Sequence, residues 1–201
     1  MWLGITPSAA PVCLFGIQQV HPRHSPASGY LDAEGKVGLY RLEVSITAGT
    51  GKLRTPSGLE TGLRESLNRA FGHLQQVKEE LGLTAELAQK DVYAEAVDLS
   101  GGRVECSCGV AFFVAMMSAI RNRQVQAGTV AIGDLTVQGN IKGPLSINEA
   151  LQLSLSNGAV RAIVPLANKS QFAGLPEEVV EKMDIVFCGD VDRPVLKAIE
   201  A

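Results

Sequence analysis

Glu105-Cys106-Ser107-Cys108-Gly109-Val110-Ala111-Phe112-Phe113-Val114-Ala115-Met116-Met117-Ser118-Ala119-Ile120 is the stretch on which the reading of the chain turns. From Gly109 to Ile120 there is no charge, and Ser118 is the only hydroxyl. Twelve such residues are too few to span a bilayer and too many for an ordinary strand. They predict a helix buried on nearly all faces. Charge returns at Arg121 and Arg123. Ser107 stands at the mouth of that helix, where two roles are open. As an N-cap its oxygen would accept an orphan backbone N–H. As a nucleophile it would use the first-turn amides and the positive helix end to hold an alkoxide or oxyanion.

The 201 residues carry a net charge of −3 and are 46% hydrophobic. That suffices for a real core and leaves no electrostatic footprint for nucleic acid or an anionic membrane. No apolar run approaches the roughly 18 residues of a spanning helix, and Met1 to Pro7 has no basic leader. Four cysteines, Cys13, Cys106, Cys108 and Cys188, do not make a disulfide scaffold, so the expected setting is a reducing cytoplasm.

Residues 1 to 36 are broken by prolines and glycines and read as an N-terminal extension, with one strand near 11–17. His21 and His24 fall in a loop and lack the further ligands of a zinc site. Val37 to Thr47 alternates as a strand with one wet face. A helix is expected from Ser57 to Gly82, with Leu59, Leu63, Leu67, Ala70, Phe71, Leu74 and Val77 inward and Arg64, Glu65 and Arg69 outward. Further strands are expected at 91–99, 128–132, 135–138, 160–165 and 184–188. Helices are expected at 146–156, 177–182 and 193–200. Strands alternating with helices place the chain in the α/β or α+β class with a mixed sheet.

Ala48-Gly49-Thr50-Gly51-Lys52-Leu53 has the look of a phosphate loop. The first glycine of that motif is missing, and Leu53 stands where a magnesium-holding Ser or Thr belongs, so no ATP hydrolysis is expected of this chain alone.

The order of landmarks carries more than any one of them. It runs Glu43-Val44, Gly49-Thr50-Gly51-Lys52-Leu53, Gly62, Glu65-Ser66, Asp91-Val92 and Ser107-Cys108-Gly109-Val110-Ala111. It continues through Gly133-Asp134-Leu135-Thr136-Val137-Gln138-Gly139, Asn157-Gly158-Ala159 and Val164-Pro165-Leu166-Ala167-Asn168-Lys169. This series resembles the C-terminal proteolytic domain of the Lon proteases over residues 37 to 201. Within that superfamily it is most similar to Lon-related proteins of defence loci, including the Lon-like component of bacteriophage-exclusion systems. The resemblance implies a compact unit of the ribosomal-protein-S5 domain-2 type. It also implies a parent protein with an AAA+ ATPase domain, through which alone ATP would act, and assembly as a six-membered ring. The implied partners are a polypeptide substrate or that AAA+ domain. No cofactor, nucleic acid or membrane is implied for this chain.

The implied chemistry is peptide hydrolysis by a Ser–Lys dyad. Cys106-Ser107-Cys108-Gly109 occupies the place of the family's Pro-Ser-Ala-Gly motif, so Ser107 stands where the nucleophile would be. Carried through Gly133–Gly139 without a gap, the dyad lysine falls on Ala150, and no lysine occurs between Lys142 and Lys169. A serine hydroxyl needs a base within hydrogen-bond reach. A desolvated lysine can serve, and alanine cannot. Lys142, about two helical turns earlier in the sequence, is the nearest substitute. Two expectations follow: a Lon-type serine peptidase domain, or a degenerate Lon fold kept as an oligomerisation and protein-interaction module.

Cys106 and Cys108 admit three readings: small apolar fillers, a metal pair with Cys188, or a thiol activated by the helix end. Glu105 stands where the hydrolase elbow would need glycine, so that motif is not met.

Overall fold

A computed structural model of the chain describes residues 12–14, 27–31, 37–99 and 108–191. Ser107, Glu105, Cys106, the His21/His24 loop and the helix expected at 193–200 lie outside the described residues.

The centre is a mixed sheet built on β3 (Val37–Ala48). One edge of β3 is shared. β2 (Ala27–Leu31) pairs antiparallel with residues 37–41, and β1 (Val12–Leu14) continues over Leu42 to Val44. The other edge takes β5 (Lys90–Asp98), antiparallel from Tyr40↔Asp98 to Ala48↔Lys90. The sheet ends beyond β5 at the two-residue β4 (Leu53–Arg54). On the far side β6 (Thr129–Ala131), β9 (Arg161–Pro165) and β10 (Asp184–Cys188) add in parallel. A separate ribbon pairs β7 (Asp134–Leu135) with β8 (Ile141–Lys142). The division expected at residue 36 therefore lies between two paired strands, and β1 and β2 are part of the main sheet.

Alternation along the strands sorts side chains onto two faces. Tyr40, Leu42, Val44 and Ile46 of β3, with Ala131 and Ile163, face one layer made by α1 (Thr61–Val77) and α3 (Gly109–Arg121). Leu39, Val130, Ile132, Ala162 and Val164 face the opposite layer, made by α4 (Asn148–Ser156) and α5 (Glu177–Lys182).

α3 is the helix foreseen from its uncharged run: every residue from Gly109 to Ile120 is buried. It packs against α1, β1 and β3, and Phe112, Phe113, Met116 and Met117 are among the largest fully buried side chains. Each such burial contributes about 1.5–3 kcal/mol.

Several expected bounds shift. α1 begins at Thr61 rather than Ser57, because Gly58 adopts φ +113 and the chain turns there. α1 ends at Val77, short of the stop expected at Gly82; Gly82 is left-handed, φ +69, and α2 (Thr84–Gln89) follows it, a six-residue helix not expected from the pattern. The strand expected at 135–138 ends at Leu135. Gly139 donates back to Thr136 O at 3.0 Å, and Val137 is exposed on the resulting turn. Leu166–Gly174, also not foreseen, is a 3-10 segment.

Candidate functional site at the start of the buried helix

Cys108 takes the N-cap position of α3 and offers no side-chain cap. The helix is instead closed by β7. Val110 N donates to Gly133 O at 3.3 Å, and Gly109 lies so close to the ribbon that a Cβ there would sit 2.6 Å from Leu135 N. The Asp134 carboxylate lies in the same contact. Its Oδ1 accepts the Leu135 amide at 2.9 Å, and its Oδ2 accepts Arg69 Nη2 at 2.5 Å. Arg69 Nη2 also donates to the buried Ser66 Oγ at 3.2 Å. A carboxylate thus already occupies the positive end of α3, balanced by a guanidinium reaching across from α1.

The outward assignment of Arg69 is corrected by this geometry: the side chain crosses to Asp134 instead of lying on a solvated face. Spacing along one helix cannot reveal a partner 65 residues away in sequence. Next to this group His73 is buried. Its ring lies against Gly139, where no Cβ would fit, and 5.3 Å from the Phe113 ring.

Lys142 lies in β8 directly opposite Asp134, and its side chain is exposed. It makes no ion pair among the described residues. Ala150 lies on α4 and is fully buried among Ile132, Ile147, Leu151, Ala162 and Val164. That apolar layer is on the face of the sheet opposite α3. Position 150 and the helix that follows Ser107 are therefore packed into different halves of the core.

The loop before α4 is held from the 3-10 segment. Asn168 Nδ2 donates to Pro144 O at 2.9 Å, and the Asn168 side chain fills the space beside Gly143. Gln171 donates to Leu145 O at 2.8 Å and accepts the Ile147 amide at 3.0 Å. Ser146 Oγ donates to Glu149 at 2.6 Å, which lowers the pKa of that carboxyl.

The phosphate-loop look-alike already holds an anion of its own. Asp91 Oδ1 accepts Thr50 N at 2.7 Å and Lys52 N at 3.0 Å, and Oδ2 accepts Arg54 Nε at 2.7 Å. Those amides and the guanidinium hold the Asp91 carboxyl down at about 2. Gly49 packs against the same carboxylate, where a Cβ would collide with it. The backbone donors that a phosphate would need are spent on an internal side chain.

Among the described residues no three His, Cys, Asp or Glu side chains converge as metal ligands. Cys108 is disulfide-bonded and Cys188 is a free, buried thiol, so these two do not share a metal. Nor is Cys108 the simple apolar filler of the first reading. No helix among the described residues is long and apolar enough to cross a membrane.

A family model described as the Lon protease (S16) C-terminal proteolytic domain matches residues 30–201. A Lon-like protease BrxL of Bacillus cereus (strain H3081.97) is 26% identical over 180 residues, covering 88% of this chain and 27% of that protein. A second, from Escherichia coli O9:H4 (strain HS), is 27% identical over 167 residues, 82% of this chain and 24% of that protein. Lon protease 1 of Bacillus subtilis (strain 168) is 25% identical over 159 residues, 79% and 20% respectively. The chain spans about a quarter of the length of these relatives.

Proposed function

The chain belongs to the Lon protease C-terminal proteolytic-domain family, and from that premise we propose that it keeps the Lon fold without the Ser–Lys chemistry, as an assembly and protein-interaction module. The observation that carries the reading is the surroundings of Ala150. Where the resemblance puts a proton-accepting lysine, the chain has a fully buried alanine walled by aliphatic side chains. Without a base the Ser107 hydroxyl stays a poor nucleophile, and loss of a dyad member costs several orders of magnitude in rate. Lys142, the nearest substitute in the sequence, is an exposed side chain on β8 opposite Asp134.

The proposed parent is a larger AAA+ protein of a bacteriophage-exclusion locus, in which ATP would act through the separate ATPase domain. The sequence resemblance to Lon-related defence proteins supports this.

The test is to incubate the chain with a serine-directed fluorophosphonate and, separately, with unfolded casein. The expected result is no adduct at Ser107 and no cleavage. An adduct at Ser107, together with cleavage abolished by Ser107→Ala, would return the domain to the peptidases, with Lys142 or a neighbouring chain's lysine as the base.

A further inference from the structure

α3 begins against a carboxylate of its own chain. Asp134 is buried, and a Cβ on Gly109, the first residue of α3, would collide with its Oδ1. The partial positive charge and free amides of a helix start are what let such a helix hold an anion. Here one of those amides is already given away, since Val110 N donates to Gly133 O. The charge is met by Asp134.

That carboxylate is held on both oxygens. Leu135 N donates to Oδ1 at 2.9 Å, and Arg69 Nη2 donates to Oδ2 at 2.5 Å. Arg69 Nη2 donates in turn to Ser66 Oγ, which is fully buried. Arg69 lies on α1 and Asp134 on β7, the two elements that pack on α3 from either side of its start. The side chains are 30% and 11% exposed. A largely buried ion pair adds little net stability over apolar side chains of the same volume, yet it is costly to break. Stability alone therefore does not account for this pair, whereas its position against α3 gives it a use.

We propose that Asp134, held by Arg69, is an internal anion that plugs the start of α3. It is an autoinhibitory contact. It keeps out the anions that a hydrolase would hold there, the oxyanion of an acyl intermediate and the carboxylate of a product. Arg69 is a positioning residue, acting through Asp134. The proposal rests on the reading of the chain as a Lon fold without Ser–Lys chemistry, and deepens it. It is carried by α1 and β7, not by Ala150.

The experiment uses the whole chain. Asp134→Ala draws the plug, sodium formate is the probe, and sodium chloride at the same ionic strength is the control. Asp134→Ala should lower the melting temperature by about 5 °C or more, because Arg69 loses its partner. Formate should restore about half of that loss or more, and saturably. The wild-type chain and Arg69→Met/Asp134→Ala should respond to formate no more than to chloride. An Asp134→Ala chain that is not destabilised, or that formate stabilises no better than chloride, overturns the plug. Asp134→Asn keeps an acceptor for the Leu135 amide and serves where the alanine variant does not fold. Combined with Arg69→Met it should give a non-additive cycle of melting temperatures, and an additive one overturns the proposal. Fluorophosphonate labelling of Ser107 separates this proposal from the reading of Ala150. It should stay absent in Asp134→Ala, where the plug is gone and the base is still missing. Labelling in that variant alone would support the plug and overturn the reading of Ala150.

Discussion

Asp91 and Thr50, 41 residues apart, are joined by a 2.7 Å hydrogen bond from the Thr50 amide to the Asp91 carboxylate. The bond ties the loop after β3 to the first residues of β5. The amides of Lys52 and Thr50, then Arg54, hold the Asp91 pKa at about 2, below the roughly 3.9 of an unfolded aspartate. A depressed carboxyl pKa stabilises the fold above the unfolded value and loses that contribution as pH falls through the folded one. We expect Asp91→Ala to lower the melting temperature at neutral pH, and the loss to shrink between pH 4 and 2. Melting curves across that window check it; a constant difference would refute the role.

Gly109 should not tolerate a side chain. Its Cβ would meet Leu135 N at 2.6 Å and the Asp134 carboxylate, both fixed by the closure of α3 on β7. Gly109→Ala is expected to cost about 1–3 kcal/mol. Gly72, on α1 with open space around it, is the control, and its alanine variant should gain about 0.5–1 kcal/mol. Denaturant titration of the pair distinguishes crowding from a general effect of glycine replacement.

Ala150→Lys restores the residue type of the family but not its setting. The new ammonium would enter an aliphatic wall without a partner. A loss of about 3 kcal/mol or more is expected, with no appearance of casein cleavage. A stable variant that gains proteolysis would show that α4 faces Ser107 after all.

Cys188 should be chemically quiet. Burial, with Asp190 adding to it, pushes its thiol up to about 11. At neutral pH almost no thiolate is present to react. Alkylation by iodoacetamide is expected only on unfolding, read by mass spectrometry with and without denaturant. Rapid labelling at Cys188 in the native chain would contradict this placement.

What could be read from the sequence was what local chemistry dictates. The uncharged run of α3 and the alternation of β3 each report a single element and its neighbours. β2 was hidden because Ala27-Ser28-Gly29-Tyr30-Leu31 has no clear alternation and earns its place only by pairing with β3 and β6. The two-residue ribbon β7/β8 is too short for periodicity to register. At the site, Ala150 was legible as a missing lysine through the family resemblance. Its burial on the sheet face opposite α3 was not, because that depends on which way each strand residue points. Arg69–Asp134 and Asn168 with the 143–147 turn are long-range pairings, invisible to any window along the chain.

The two-layer core makes particular demands on the short strands. β6, with Ile132 just beyond it, and β9 place successive residues in opposite layers: Val130 and Ile132 against α4, Ala131 against α1 and α3, with Ala162, Ile163 and Val164 alternating likewise. A single-residue insertion or deletion within 129–132 or 161–165 would exchange the two sets at once, moving residues shaped for one helix layer into the other. Insertions and deletions are therefore expected to be tolerated in the turns alone, and these two strands should behave as fixed rulers in any grafting or permutation of the fold.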